Sequence, residues 1–229
     1  MSRLPAMRPV VGRSWITVDD AYAGQLAYKA QLVAHQRERV IGQVAGAEAA
    51  CLELLSVVLA ELPNVGFTVE SGQVVRPDGE MVRLDDSDPL GTLSHLLQED
   101  LCLLQKRGEE HVLTAAVLCF PAAWTLAQKL GHPLTRIHVP VKPYTEDIAR
   151  RVQRLFDGVQ PGKPIWRANL HTYDDPELFH VRKEGDPRPY REETAEFERS
   201  ERQTVLRLPQ TDAVLFAIHT TMTRRPVSS

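Results

Sequence analysis

Thr204-Val205-Leu206-Arg207-Leu208 and Ala213-Val214-Leu215-Phe216-Ala217-Ile218-His219 are the two runs that decide the fold class. Both are short, rich in β-branched and apolar residues, and separated by a proline-containing break, so both read as strands. Upstream, Ile165-Trp166-Arg167-Ala168-Asn169-Leu170 reads the same way, and His111 to Phe120 reads as a buried strand bounded by Pro121. Between Leu170 and Thr204, the charged segment from Arg182 to Arg202 reads mostly as solvated loop or surface helix.

Helices are expected before and beside these strands. From Tyr22 to about Leu62, apolar residues recur at helical spacing behind Asp19 and Asp20, with Gly42 and Gly46 allowing a break. Phe67 to Glu70 and Gln73 to Val75, joined by Ser71-Gly72, suggest a hairpin. Asp88-Pro89-Leu90 opens a second helical stretch, in which Leu93, Leu96, Leu97, Leu101 and Leu104 form an apolar face beside Gln98-Glu99-Asp100. A further helix is expected around Trp124 to Leu130, stopped by Gly131-His132-Pro133. Another runs from Thr145, its N-cap, to Phe156. The expectation is an antiparallel sheet with helices before and beside it, α/β in the broad sense and α+β in detail, as one domain over residues 1–229.

Composition narrows the function. With 43% hydrophobic and 25% charged residues the chain can bury a sizeable core. A formal charge of −3 supplies no basic field for nucleic acid or anionic lipid, so neither is expected as a partner. Cys51, Cys102 and Cys119 are odd in number and set among apolar residues, which is the pattern of reduced, packed thiols. No leader-like or membrane-spanning run is visible, and the cytoplasm is the expected location. Glycine-rich nucleotide loops, Gly-x-Ser-x-Gly elbows and His-Glu-x-x-His helices are all missing from the sequence.

The remaining candidates are polar residues inside apolar, structured segments. His138, between Ile137 and Val139 and before Pro140, sits in a stiff apolar setting where an imidazole can ligate a metal or haem iron, or be a hydrogen-bonded core residue. Arg167 and Asn169 share a strand face, where a guanidinium and an amide can both donate to a bound oxygen or carboxylate; the competing reading pairs Arg167 with an acid such as Glu201. Gln98-Glu99-Asp100 reads as a polar helix face or loop cap, and Glu201-Arg202-Gln203 as a possible buried ion-pair network.

These segments together resemble the haem-dependent oxidative N-demethylases, whose members contain a domain of the Per-Arnt-Sim sensor type. The resemblance runs from Trp15-Ile16, Asp20 and Tyr22 through Asp88-Pro89-Leu90 and Gln98-Glu99-Asp100-Leu101. It continues through Trp124-x-x-x-x-Lys129-x-Gly131-x-x-Leu134-x-x-Ile137-His138-x-Pro140-Val141 and Arg167-x-Asn169 to Pro176-Glu177-Leu178-Phe179. Glu201-Arg202-Gln203-Thr204, Arg207-Leu208-Pro209 and Ala213 to Phe216 complete it.

The resemblance implies a haem b enzyme that takes oxygen and electrons from a separate reductase, oxidises the carbon beside an amine nitrogen and releases an aldehyde. On that basis His138 is the axial iron ligand, Arg136 and Lys142 join it in holding the cofactor, and Arg167 and Asn169 serve catalysis. Arg167 is assigned to stabilise bound oxygen by charge-assisted hydrogen bonding. His171 or His180 is a candidate second ligand, and a homo-oligomer is allowed. Four departures stand out: the family usually has tryptophan at Leu170, proline at Lys142, and arginine and tyrosine at His219 and Thr221. If Leu170, His219 and Thr221 line the pocket, the protein prefers an amine bulkier than dimethylamine or lacks dimethylamine demethylation altogether. Two other readings of the same resemblance are a haem-based oxygen or redox sensor without turnover, and a haem-free structural relative.

Overall fold

The structure is a computed structural model that describes residues 7–12, 14–138, 146–186 and 195–225. Strand β1 (Arg8–Pro9) precedes helix α1 (Tyr22–Val40), strand β2 (Ile41–Gln43) and helix α2 (Glu48–Glu61). A small sheet follows, with β3 (Thr68–Glu70), β4 (Gln73–Val75) and β5 (Met81–Arg83). Helix α3 (Pro89–Ser94) leads to β6 (Asp100–Arg107) and β7 (Glu110–Val117). Then come the short helix α4 (Leu134–Ile137), helix α5 (Glu146–Gly158) and the long strands β8 (Ile165–Tyr173), β9 (Phe197–Arg207) and β10 (Val214–Arg224).

Among the described residues the main sheet has seven strands in the order β1-β8-β9-β10-β6-β7-β2, all antiparallel, so the fold is α+β as expected. Both faces of the sheet are covered. Leu101, Leu103, Leu206, Leu215 and Ala217 pack against the N-terminal helices through Leu26, Leu54 and Leu93. On the opposite face, Cys102, Leu104, Val205 and Val214 pack against Leu134, Ile137 and Phe156 of α4 and α5. A strand buried on both sides is apolar on both faces, and β6 shows it from Leu101 to Leu104, all buried, after the ion-paired Asp100.

That double burial corrects the expected second helix. Its start is as read, because Asp88 caps α3 by accepting from the Gly91 amide at 3.0 Å. The helix stops at Ser94, however, and Leu101 and Leu104 belong to β6. Four apolar residues in a row suit either period, and here the pairing with β7 and β10 decides. The region around Trp124 to Leu130 holds only a single 3₁₀ turn, Leu126–Gln128. The chain from Phe197 to Arg202 is strand, not loop or surface helix. Thr145, read as a helix cap, lies outside the described residues.

A buried ion pair ties the N-terminal helices to the sheet. Lys29 of α1 stands 3.1 Å from Asp100 and donates to the Glu99 carbonyl at 2.7 Å. Asp100 in turn accepts from the amides of Cys119 and Phe120 at 2.9 and 2.6 Å. All three cysteines are free and buried, as their apolar neighbours suggested. No helix among the described residues is long and apolar enough to cross a membrane.

Candidate functional site

The chain reaches His138 from β7 by a hydrogen-bonded hook. Gly131 takes a φ of 79°, a left-handed conformation that glycine tolerates at no steric cost. Its amide donates to the Leu113 carbonyl at 2.8 Å, and the Leu113 amide donates to His132 at 3.1 Å. Pro133 then starts α4, whose Leu134 and Ile137 are buried in the second core and fix its rotation. The Ile137 carbonyl at its end accepts from Lys129 at 2.6 Å.

His138 caps this helix. Its Nδ1 lies 2.8 Å from the Leu134 carbonyl, which can only accept, so Nδ1 carries the proton and Nε2 carries the lone pair. A ring nitrogen tied to a backbone carbonyl is the arrangement that sets the tautomer of metal-ligating histidines. Burial holds His138 below its ordinary range, and the charges of Lys129 and Arg167 push in the same direction despite the backbone bond. The neutral imidazole is therefore favoured, as a ligand requires.

Arg167 of β8 and Gln203 of β9 are cross-strand partners, as are Asn169 and Glu201, and His171 and Arg199. All six side chains stand on the face that also carries Val205 and Ile165, the face covered by α4 and α5. Arg167 donates through Nε to Gln203 Oε1 at 2.8 Å. Among the described residues no carboxylate pairs with it, so the alternative of an Arg167–Glu201 ion pair is not realised. Glu201 is instead the acceptor of Arg199 Nε at 3.1 Å, Gln203 Nε2 at 3.1 Å and Asn169 Nδ2 at 3.3 Å. Arg199 is fully buried and also donates to the carbonyls of Leu178 and Phe120.

Other sequence candidates fall apart from this group. Arg136 is exposed and makes a two-pronged pair with Glu184, at 3.1 Å to each oxygen. Lys142 lies outside the described residues. His171 shares the site face, and His180 stands by the far end of β8, bridged to Ala122 and with its ring 4.6 Å from that of Tyr173. Leu170, 60% exposed, points from the opposite face of β8. His219 and Thr221 pair with Arg202 and Ser200, so they too occupy the face away from Arg167. Those three departures therefore lie away from Arg167, while the fourth, Lys142, lies outside the described residues.

His219 instead belongs to a buried cluster with the N-terminal segment. Its Nε2 donates to Asp19 Oδ2 at 3.0 Å, while Nδ1 lies 3.6 Å from Glu99 Oε1, too far for a direct bond. Burial alone lowers its pKa, yet these carboxylates raise it to about 9. The protonated, positively charged form of His219 is thereby favoured between Asp19 and Glu99.

Lys129, part of the Trp124-x-x-x-x-Lys129 spacing, is a site residue that the sequence does not single out, and it is buried beside His138. Its separation from Ile137 in sequence hid this, because only the hook onto β7 brings the two together.

Among the described residues no group of three His, Cys, Asp or Glu side chains could hold a bare metal ion. The site offers the imidazole of His138, and a single protein nitrogen is what haem iron takes from a chain as its axial ligand. Residues 6–226 match the sequence model described as haem-dependent oxidative N-demethylase, alpha subunit-like, and the chain belongs to that family.

Proposed function

We propose that the protein is a haem-dependent oxidase that removes an N-alkyl group from a small amine with release of an aldehyde. The observation that carries this reading is the pairing of His138, neutral and fixed through Nδ1, with Arg167, a guanidinium near enough to depress it and held by an amide instead of a carboxylate. Haem b, when bound, supplies the oxygen chemistry; the protein supplies the ligand, the polarity and the access.

His138, with its ring tied through Nδ1, would be the residue that holds the iron. Lys129, beside it and held below its ordinary range by burial, is better placed than Arg136 to meet a haem carboxylate, because Arg136 would first have to leave Glu184. Lys142, two residues past Pro140, remains an expectation for the same role. Arg167 keeps its charge available for a partly anionic ligand, since a neutral amide orients it without cancelling it. Asn169 stands two positions along the same face. Electrons require a donor, and the description of the family as an alpha subunit supports a separate reductase polypeptide.

Purified protein should show a Soret band and, with a reductase and dimethylamine, release formaldehyde. A Soret band with reversible oxygen binding and no aldehyde from any N-methyl amine would favour the sensor reading. A protein that cannot be loaded with haem would leave only the structural one.

A further inference from the structure

Asn169 is oriented by its neighbour. Glu201 can only accept, so the amide NH₂ must face it, and the carbonyl Oδ1 is turned away. Among the described residues that oxygen is buried without a hydrogen-bond partner, while one N–H of the amide is already engaged by Glu201. The sequence alone suggested that both Arg167 and Asn169 would donate. The structure separates them: Arg167 presents donors, and Asn169 presents an acceptor.

An unpaired buried carbonyl costs roughly 1–3 kcal/mol, which an incoming N–H relieves. Glu201 keeps the orientation rigid, since Arg199 and Gln203 anchor both of its oxygens. We infer that Asn169 Oδ1 receives the N–H of the substrate amine, and that Glu201 is the positioning residue that keeps it turned as an acceptor. The site then selects amines that carry an N–H over those that carry none. This rests on the demethylase reading above and adds to it the chemical class of substrate and the atom that recognises it.

The two roles predict different failures. In Asn169→Leu the acceptor is gone. In Glu201→Gln the new amide can donate to Asn169 Oδ1, which turns the Asn169 NH₂ outward and offers a donor to a donor. Side-chain size is nearly unchanged in the second variant, which guards against a folding defect in the first.

The experiment is calorimetric titration of the haem-loaded ferric protein with dimethylamine and with tetramethylammonium, which lacks an N–H. Far-ultraviolet circular dichroism and the Soret band are recorded for each variant. The wild type should bind dimethylamine about tenfold more tightly, one hydrogen bond's share. That ratio should fall to near one in both variants with fold and Soret band kept. Because the comparison is a ratio between ligands across variants, size and charge differences cancel. A ratio that persists in both variants overturns the role of Asn169 and leaves the haem reading standing. Failure of the wild type to bind dimethylamine while the Soret band is present does the same. A protein with no Soret band overturns the haem reading, and this inference with it.

Discussion

Arg167 donates its Nε–H to Gln203 Oε1 at 2.8 Å, so the cation on the site face is steered by a neutral side chain. The arrangement leaves a full positive charge in a partly buried setting. Burial lowers the Arg167 pKa, with Glu201 partly opposing it, but a guanidinium starts so high that it stays protonated.

Arg167→Ala should therefore keep haem but weaken binding of azide to the ferric protein by about a hundredfold, the usual loss for one preorganised donor. Gln203→Glu should weaken it as well, because a carboxylate in that place neutralises the guanidinium without removing it. Azide titrations followed in the visible spectrum decide the matter. Unchanged affinity in both variants would mean that Arg167 does not face the iron.

His138→Ala should abolish or sharply reduce haem retention while circular dichroism reports a folded chain. The axial bond depends on one imidazole, whereas the adjoining core is built by Leu134, Ile137 and Phe156. Full occupancy with an unaltered ferric spectrum would remove His138 from the ligand position.

Lys129→Met should loosen haem more than Arg136→Ala does. Lys129 is buried next to His138, and Arg136 is exposed and already engaged by Glu184. Transfer of haem to apomyoglobin gives the rates, and the opposite order would restore Arg136 to the cofactor site.

His219 makes stability depend on pH with a definite sign. Its folded pKa of about 9 lies above its ordinary 6.5, so its contribution is complete below about 6.5 and is lost as pH rises through 9. The contribution is on the order of 2–3 kcal/mol. The melting temperature of the wild type should fall between pH 6.5 and 9, and His219→Gln should flatten that slope. At the acid end Asp19, lowered to about 2 chiefly by its bond to His219, loses its contribution as pH falls from 3.8 through 2. An identical alkaline slope in the variant would show that the cluster does not carry a buried cation.

Lys29→Met should destabilise the fold by about 3–5 kcal/mol, because Asp100 is left as an uncompensated buried carboxylate. For a chain of this length that corresponds to a melting temperature lower by about 10 °C. A shift under a few degrees would show that the amides of Cys119 and Phe120 suffice to hold Asp100.

Local pattern by itself determined the strands at β7, β8 and β10, the second half of β9, the long N-terminal helical region, the family, and the shared face of Arg167 and Asn169. These rest on periodicity and on residue order, which survive whatever packs around them. Tertiary structure decided the rest. Leu101 to Leu104 became strand because β7 and β10 flank it and both faces are buried. Leu170, His219 and Thr221 stand away from Arg167 because strand parity and register put them on the other face. The Asn169 amide is turned with its NH₂ toward Glu201, thirty-two positions along the chain, because a hydrogen bond forms between them. Which donor meets which acceptor across a sheet is a property of register, and no single strand carries that information in its own residues.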